Sequence, residues 1–354
     1  MNIESWMRGG VLLLLAVRVS AQAPELASQP HDSYPSGVSG YKDVTYQLLT
    51  GFHPQTADIY VPTGRGPYPA VVFVHGGGWS AGSPRMEDNV KMLSSLAARG
   101  YVVMGINYRF HGEAKFPAQI RDTKAAIRWL RSNAELYGVD RARVGVWGAS
   151  AGGYLAALAG TSCGVAALDP LPAPPARAGG PPGVAAGPPG VAAGPRGVTA
   201  GPRGVTAGMP MVKSDASQSD CVQSVVDWFG PIDFPAMDGQ ALPNSMKHDA
   251  STGAESQLLG CLLSQCAKEL VAQTNPITYI DKSDPPFLIM HGDQDHAVPV
   301  GQSQELYQAL QARGVKATLV LVPGADHGFA GASDAKKQEI VNTAFDFFDR
   351  TLGK

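Results

Sequence analysis

Charge is what this sequence is short of. Only 16% of its 354 residues are Asp, Glu, Lys or Arg, against about a quarter in an ordinary soluble chain. The 30 acidic and 28 basic residues nearly cancel, leaving a formal net charge of −2. A chain so balanced offers no electrostatic footprint for nucleic acid or for an anionic membrane surface. Cysteine is scarce too, with four residues and no C-x-x-C pair, which argues against a zinc site; no metal is expected. No G-K-[ST] or G-x-G-x-x-G accompanies the run Gly76-Gly77-Gly78, so a phosphate or dinucleotide cradle is not indicated. The apolar run Val11 to Val17 falls well short of the ~20 residues needed to cross a bilayer.

That short run has another reading. Arg8 gives a basic start, and Val19-Ser20-Ala21 or Ala21-Gln22-Ala23 offers small residues for cleavage, so residues 1–23 read as a secretory signal and the mature chain as secreted or periplasmic. Export suits disulfides, and four cysteines allow three connectivities. Cys163–Cys221 with Cys261–Cys266 is the favoured set, because the first bond would staple the two ends of an insertion onto the core. The insertion is expected over 165–215. It contains GPPGVAA, GPPGVAA, GPRGVTA and GPRGVTA in tandem (180–207). A period of seven is not collagen's three, and a segment with so little bulky apolar surface is expected to be a disordered loop.

Around the insertion, strand and helix patterns alternate. YKDVTYQLL (41–49) and TADIYVP (56–62) suit an edge hairpin. The fully apolar Ala70 to Val74 suits a central parallel strand. Residues 85–99 predict a helix stopped by Gly100, 101–110 a strand, and 116–139 a long helix. A strand over 144–147 runs into an Ala-rich helix. Beyond the insertion, 224–231 and 285–295 read as strands, 298–314 as a helix, 316–329 as a strand running into a loop, and 334–352 as an amphipathic helix. Residues 232–275 are irregular, with a helical patch around 258–272, and suit a small cap. Alternation of this kind predicts an α/β fold with helices on both faces of a parallel sheet.

The chemistry centres on RVGVWGASAGGYLAALAG (143–160). Gly148-Ala149-Ser150-Ala151-Gly152 matches G-x-S-x-G between a strand and a helix, the context of a nucleophile elbow. The strained turn demands small residues two positions either side of Ser150. The following helix aims its N–H groups and positive end at charge developing beside the hydroxyl. A serine nucleophile needs a base, an acid to orient it and an oxyanion hole. Of eight histidines, His327 alone follows both Ser150 and an acid loop in the order this architecture uses. Asp295 is preferred to Asp293 as the acid, because Asp293 suits a turn-capping role. Asp326, adjacent to His327, points away from it. Gly77, Gly78 and Ala151 are the expected oxyanion donors, with His75 a prop. Trp79, Tyr154 and Phe329 are candidates to line the substrate pocket, with Phe110 and Trp228 also near motif ends.

With these motifs in place, the sequence resembles the α/β-hydrolases, in the esterase branch carrying HGGGW and GASAGG that includes hormone-sensitive-lipase-like and secreted acetylxylan or feruloyl esterases. HGGGW (75–79), NYRF (107–110), FPAQIRD (116–122), GASAGG (148–153), HGDQDHAVP (291–299) and GADHGF (324–329) carry the likeness. It implies a mostly parallel eight-stranded sheet and a Ser150–His327–Asp295 triad. It also implies a serine carboxylesterase with no cofactor, acting on small-molecule or polysaccharide-linked esters. The rival readings are a prolyl-oligopeptidase-like exopeptidase, a lipase, and a non-catalytic binding protein on the same fold.

Overall fold

The computed structural model describes residues 34–170 and 217–353. The expected signal and the heptads lie outside the described residues. Eight strands form one sheet in the order β1-β2-β4-β3-β5-β6-β7-β8. They are β1 (Val38–Gln47), β2 (Gln55–Pro62), β3 (Tyr68–Val74), β4 (Val102–Ile106), β5 (Val139–Ala149), β6 (Ser224–Trp228), β7 (Phe287–Gly292) and β8 (Ala317–Val322). The β1–β2 hairpin is antiparallel, β2 joins β4 antiparallel, and every pair from β4 through β3 to β8 is parallel. The major helices are α1 (Glu87–Ala98), α2 (Ala118–Ser132), α3 (Ala134–Tyr137) and α4 (Ala151–Thr161). After the insertion come α5 (Met237–Gln240), α6 (Ala254–Leu259), α7 (Lys268–Thr274), α8 (Gly301–Ala312) and α9 (Asp334–Phe348).

Period-two alternation in the central strands feeds two cores. Ala70, Val72, Val74, Val144, Val146, Val225 and Ile289 face α2, α4 and α8, while Val71, Phe73, Trp147, Val226, Leu288 and Met290 face α1 and α9. Both faces are covered, which is why these strands read as unbroken apolar runs rather than as alternating ones. Parallel strands covered in this way place their carboxyl ends and the following loops along one edge, where α/β folds build sites.

Three expectations needed correction. The helix forecast over 116–139 is interrupted at Asn133, whose side chain turns back to Trp129 O at 2.7 Å, and Gly138 then closes α3 with a left-handed φ of 67°. The patch at 258–272 is two short helices. Gly260 ends α6 in a left-handed conformation, and Cys261–Cys266 bridges the turn before α7. The insertion does not begin at 165: Leu168 is fully buried, and Asp169 pairs with Arg128 and Lys124 at 3.1 and 3.4 Å. Cys163 and Cys221 are joined, as are Cys261 and Cys266. The first bond closes the neck of the insertion.

Candidate active site

Ser150 sits between β5 and α4 with φ 55° and ψ −123°, a left-handed backbone that a residue with a Cβ adopts only under constraint. Its N–H is held by Trp228 O at 2.8 Å. The small neighbours are required by contact. A Cβ on Gly148 would strike the Gly152 carbonyl, and one on Gly152 would strike Val74 O. The elbow is therefore wedged between β3, β5 and β6, and Ser150 has no room to relax.

The three triad candidates come together from three loops. Ser150 Oγ lies 2.9 Å from His327 Nε2, and His327 Nδ1 lies 2.8 Å from Asp295 Oδ2. Asp295 is fully enclosed, and its other oxygen accepts from Ala297 N and Val298 N, each at 2.8 Å. Burial alone would raise its pKa. Hydrogen bonds from His291 and His327 outweigh that and hold the carboxyl far below the usual carboxylate value. Asp293 accepts Gly324 N at 2.7 Å and ties the β7 and β8 loops together. Asp326 caps the turn that carries His327, accepting His327 N at 2.7 Å and His296 N at 2.8 Å.

The glycine loop lies against the nucleophile. A Cβ on Gly76 would come 2.9 Å from Ala149 O and 3.2 Å from Ser150 Cβ. Gly77 and Gly78 adopt φ of 117° and 57°, and among the described residues no hydrogen bond takes their N–H groups. Ala151 opens α4, where first-turn N–H groups have no intrahelical acceptor. Three donors are thus left free around Ser150. His75 has its ring stacked on Tyr108 at 4.6 Å and its Nδ1 2.6 Å from Gly76 O. Burial lowers its pKa to about 4, so it stays neutral and braces the loop.

The aromatic expectations are revised. Tyr154, Trp79 and Phe329 are 0%, 1% and 4% exposed. Trp79 packs edge-on to Tyr154 at 5.4 Å, with Phe234 against both. Phe329 lies on Trp228 and Phe229. Trp79 and Tyr154 thus sit in one core and Phe329 in the other, each enclosed by neighbouring rings rather than facing open solvent. Phe229, with its ring 4.8 Å from that of His327, and His291, against Asp295, escaped the sequence reading. The pairing of β6 with β7 that places them is a long-range property. Beside the glycine loop stands the 232–275 segment: Ala254 lies 3.5 Å from where a Gly78 Cβ would be, and Phe116 N donates to Leu258 O at 3.1 Å.

An eight-stranded sheet with a serine elbow at the end of β5, an acid after β7 and a histidine after β8 defines an α/β-hydrolase. The sequence profile of the BD-FAE family matches residues 57–178 and 183–310, more than half of the chain, and the chain belongs to this esterase family. Esterase LipC of Mycobacterium tuberculosis is 30% identical over 271 residues, 74% of this chain and 53% of that protein. Carboxylesterase NlhH of the same species is 40% identical over 97 residues, 27% of this chain and 30% of that one. The chain spans about half the length of the first curated relatives it matches. Among solved structures, a truncated carbohydrate esterase from gut microbiota superposes with a TM-score of 0.66 at 30% identity, covering 92% of this chain and all of that one. A bifunctional GH43-CE protein of Bacteroides eggerthii gives 0.64 at 34% identity, covering 89% and 38%.

Proposed function

We propose that this protein is a secreted serine carboxylesterase that cleaves short acyl or aromatic esters, of the acetyl or feruloyl kind, through an acyl-enzyme. One observation carries the reading: Ser150 Oγ, His327 and Asp295 stand in a single chain of hydrogen bonds of 2.9 and 2.8 Å. In that geometry His327 Nε2 takes the Ser150 proton as Oγ attacks the ester carbonyl. Asp295 keeps the proton on Nδ1 and stabilises the imidazolium. The N–H groups of Gly77, Gly78 and Ala151 receive the oxyanion. His327 returns the proton to the leaving alcohol, and the same base activates water for deacylation. The chemistry needs no cofactor.

The carbohydrate-esterase names of the two structural neighbours favour polysaccharide-linked esters, and the segment at 232–275 suits a small cap beside the glycine loop. Two disulfides favour an oxidising compartment. The test is turnover of p-nitrophenyl acetate, butyrate and octanoate and of methyl ferulate, beside Ser150→Ala. A fall of at least ~10³-fold is expected for the variant, with acetate or ferulate preferred. A preference for octanoate would move the reading to a lipase, and unchanged turnover in Ser150→Ala would remove the triad assignment.

A further inference from the structure

The chain of polar contacts does not stop at Asp295. His291, in β7 and fully buried, brings Nε2 to 3.2 Å from Asp295 Oδ2, the oxygen that also receives His327. The same Nε2 lies 2.9 Å from Val298 O. A carboxylate and a carbonyl are acceptors only, so Nε2 carries the proton and is shared between them. His291 Nδ1 is 2.7 Å from Ser303 Oγ, in the first turn of α8. In the neutral ring Nδ1 is then bare and accepts the Ser303 hydroxyl. Every polar atom of this buried ring is thus assigned, and its proton faces the triad acid.

We propose that His291 is a positioning residue of the catalytic triad, its Nε2–H fixing Oδ2 of Asp295 for His327 and drawing off part of the carboxylate's charge. The inference rests on the triad reading above. Backbone donors fix only Oδ1. Without His291, Oδ2 has His327 as its single hydrogen-bond partner among the described residues, and the pair can swing together. The full charge of Asp295 then falls on His327, which becomes a stronger base. Two other carboxylates face this cluster and stay in place throughout: Asp227 on β6, acting on His291, and Asp326 beside Asp295, itself paired with His296 at 3.3 Å.

Two substitutions separate the roles of the ring. His291→Asn puts an amide where Nδ1 stood, keeping a partner for Ser303 and removing the donor to Asp295. His291→Gln puts an amide nitrogen where Nε2 stood and restores that donor. With p-nitrophenyl acetate, Asn is expected to lower kcat about tenfold with KM within about twofold, as for loss of groups that orient reacting ones. It is also expected to move the acid limb of the kcat/KM profile to higher pH, and Gln is expected to recover most of both effects. Equal losses in Asn and Gln with an unmoved acid limb would overturn the proposal, as would wild-type behaviour in Asn.

Two readouts need no substrate. Nitrogen-15 NMR of the unmutated protein should show His291 protonated at Nε2 and bare at Nδ1, and the reverse would overturn the assignment. The His327 Nδ1 proton should resonate far downfield and shift in His291→Asn; an unshifted signal counts against the contact. Because these signals do not depend on turnover, a failed esterase reading leaves them standing and is told apart from a failure of this one.

Discussion

Two buried aspartates seven residues apart have opposite fortunes. Asp220, just before β6, is 2% exposed and meets Arg128 at 2.7 Å and Lys124 at 3.7 Å. Lys124 is itself fully buried and also bonds Ser162 O at 2.6 Å. Arg131 closes the cluster on Ser219 O and Cys221 O, each at 2.6 Å. This is an ion-pair clamp at the neck of the insertion, beside Cys163–Cys221. Asp227, on β6 under the site, has one oxygen on Gly230 N at 2.9 Å and the other with no partner among the described residues. Around the site the accounts are left open in this way. Trp79, Ser150, Phe229 and Phe329 all hold positive φ, and the oxyanion donors are unused. A site needs groups unsatisfied until substrate arrives, and the fold can carry that strain because the buried charges of regions such as the clamp are each held by an ion pair or a carbonyl.

The largest effect on stability should come from opening the clamp. Asp220→Ala leaves Lys124 and Arg128 sharing Asp169, which is 30% exposed. Breaking a buried pair from one side costs about 3–5 kcal/mol, to be read as a lower urea midpoint. Turnover per folded molecule should stay at the wild-type level, because the clamp touches neither Ser150 nor its partners. A fall in kcat at unchanged stability would mean the two regions are not separate.

Asp227→Asn should do the opposite and raise stability, in a pH-dependent way. Burial pushes the Asp227 pKa from 3.8 up to about 6, opposed by the Gly230 hydrogen bond. A carboxyl whose folded pKa is raised binds its proton more tightly when folded, so its charge penalises the fold fully above about pH 6. The penalty fades as pH falls to 3.8. The shift is worth at most about 3 kcal/mol. The gain from Asn should therefore be present at pH 8 and gone by pH 4, as measured by urea unfolding at both values. A gain of equal size at both would show that charge is not its source.

The comparison also explains what could be read without coordinates. HGGGW, GASAGG, HGDQDHAVP and GADHGF are local: each writes a backbone turn and a polar side chain into a few consecutive residues, so Ser150, Asp295 and His327 could be picked from the sequence as the candidates that the fold brings within hydrogen-bond reach, with Asp295 rather than Asp293 meeting His327. The sheet was legible because strands buried on both faces leave continuous apolar runs. What stayed hidden depends on partners far away in the chain. Trp79, Tyr154 and Phe329 look like pocket aromatics until Phe234 is seen against the first two and Trp228 and Phe229 against the third. Lys124 and Asp220 look like surface charges until α2 is laid against the insertion neck. His291 looks like a strand-end histidine until β7 is placed beside α8.

The smallest prediction tests the strain itself. Ser150→Ala and Ser150→Gly lose the same hydroxyl and the same bond to His327, so their difference isolates the backbone. In an ordinary helix position Gly is worse than Ala by roughly 1 kcal/mol. At φ 55° the Cβ of Ala costs about 1–2 kcal/mol that Gly escapes, enough to offset the extra freedom Gly has in the unfolded chain. Ser150→Gly should then be at least as stable as Ser150→Ala, and up to about 1 kcal/mol more so, a rise in Tm of about 1–2 °C for a domain of this size. Ala159→Gly, inside α4 with its residue fully buried, supplies the reference and should lose stability. If Gly is worse than Ala at both positions by the same amount, the elbow stores no strain, and the tight packing of Gly148 and Gly152 serves only to bring the strands together.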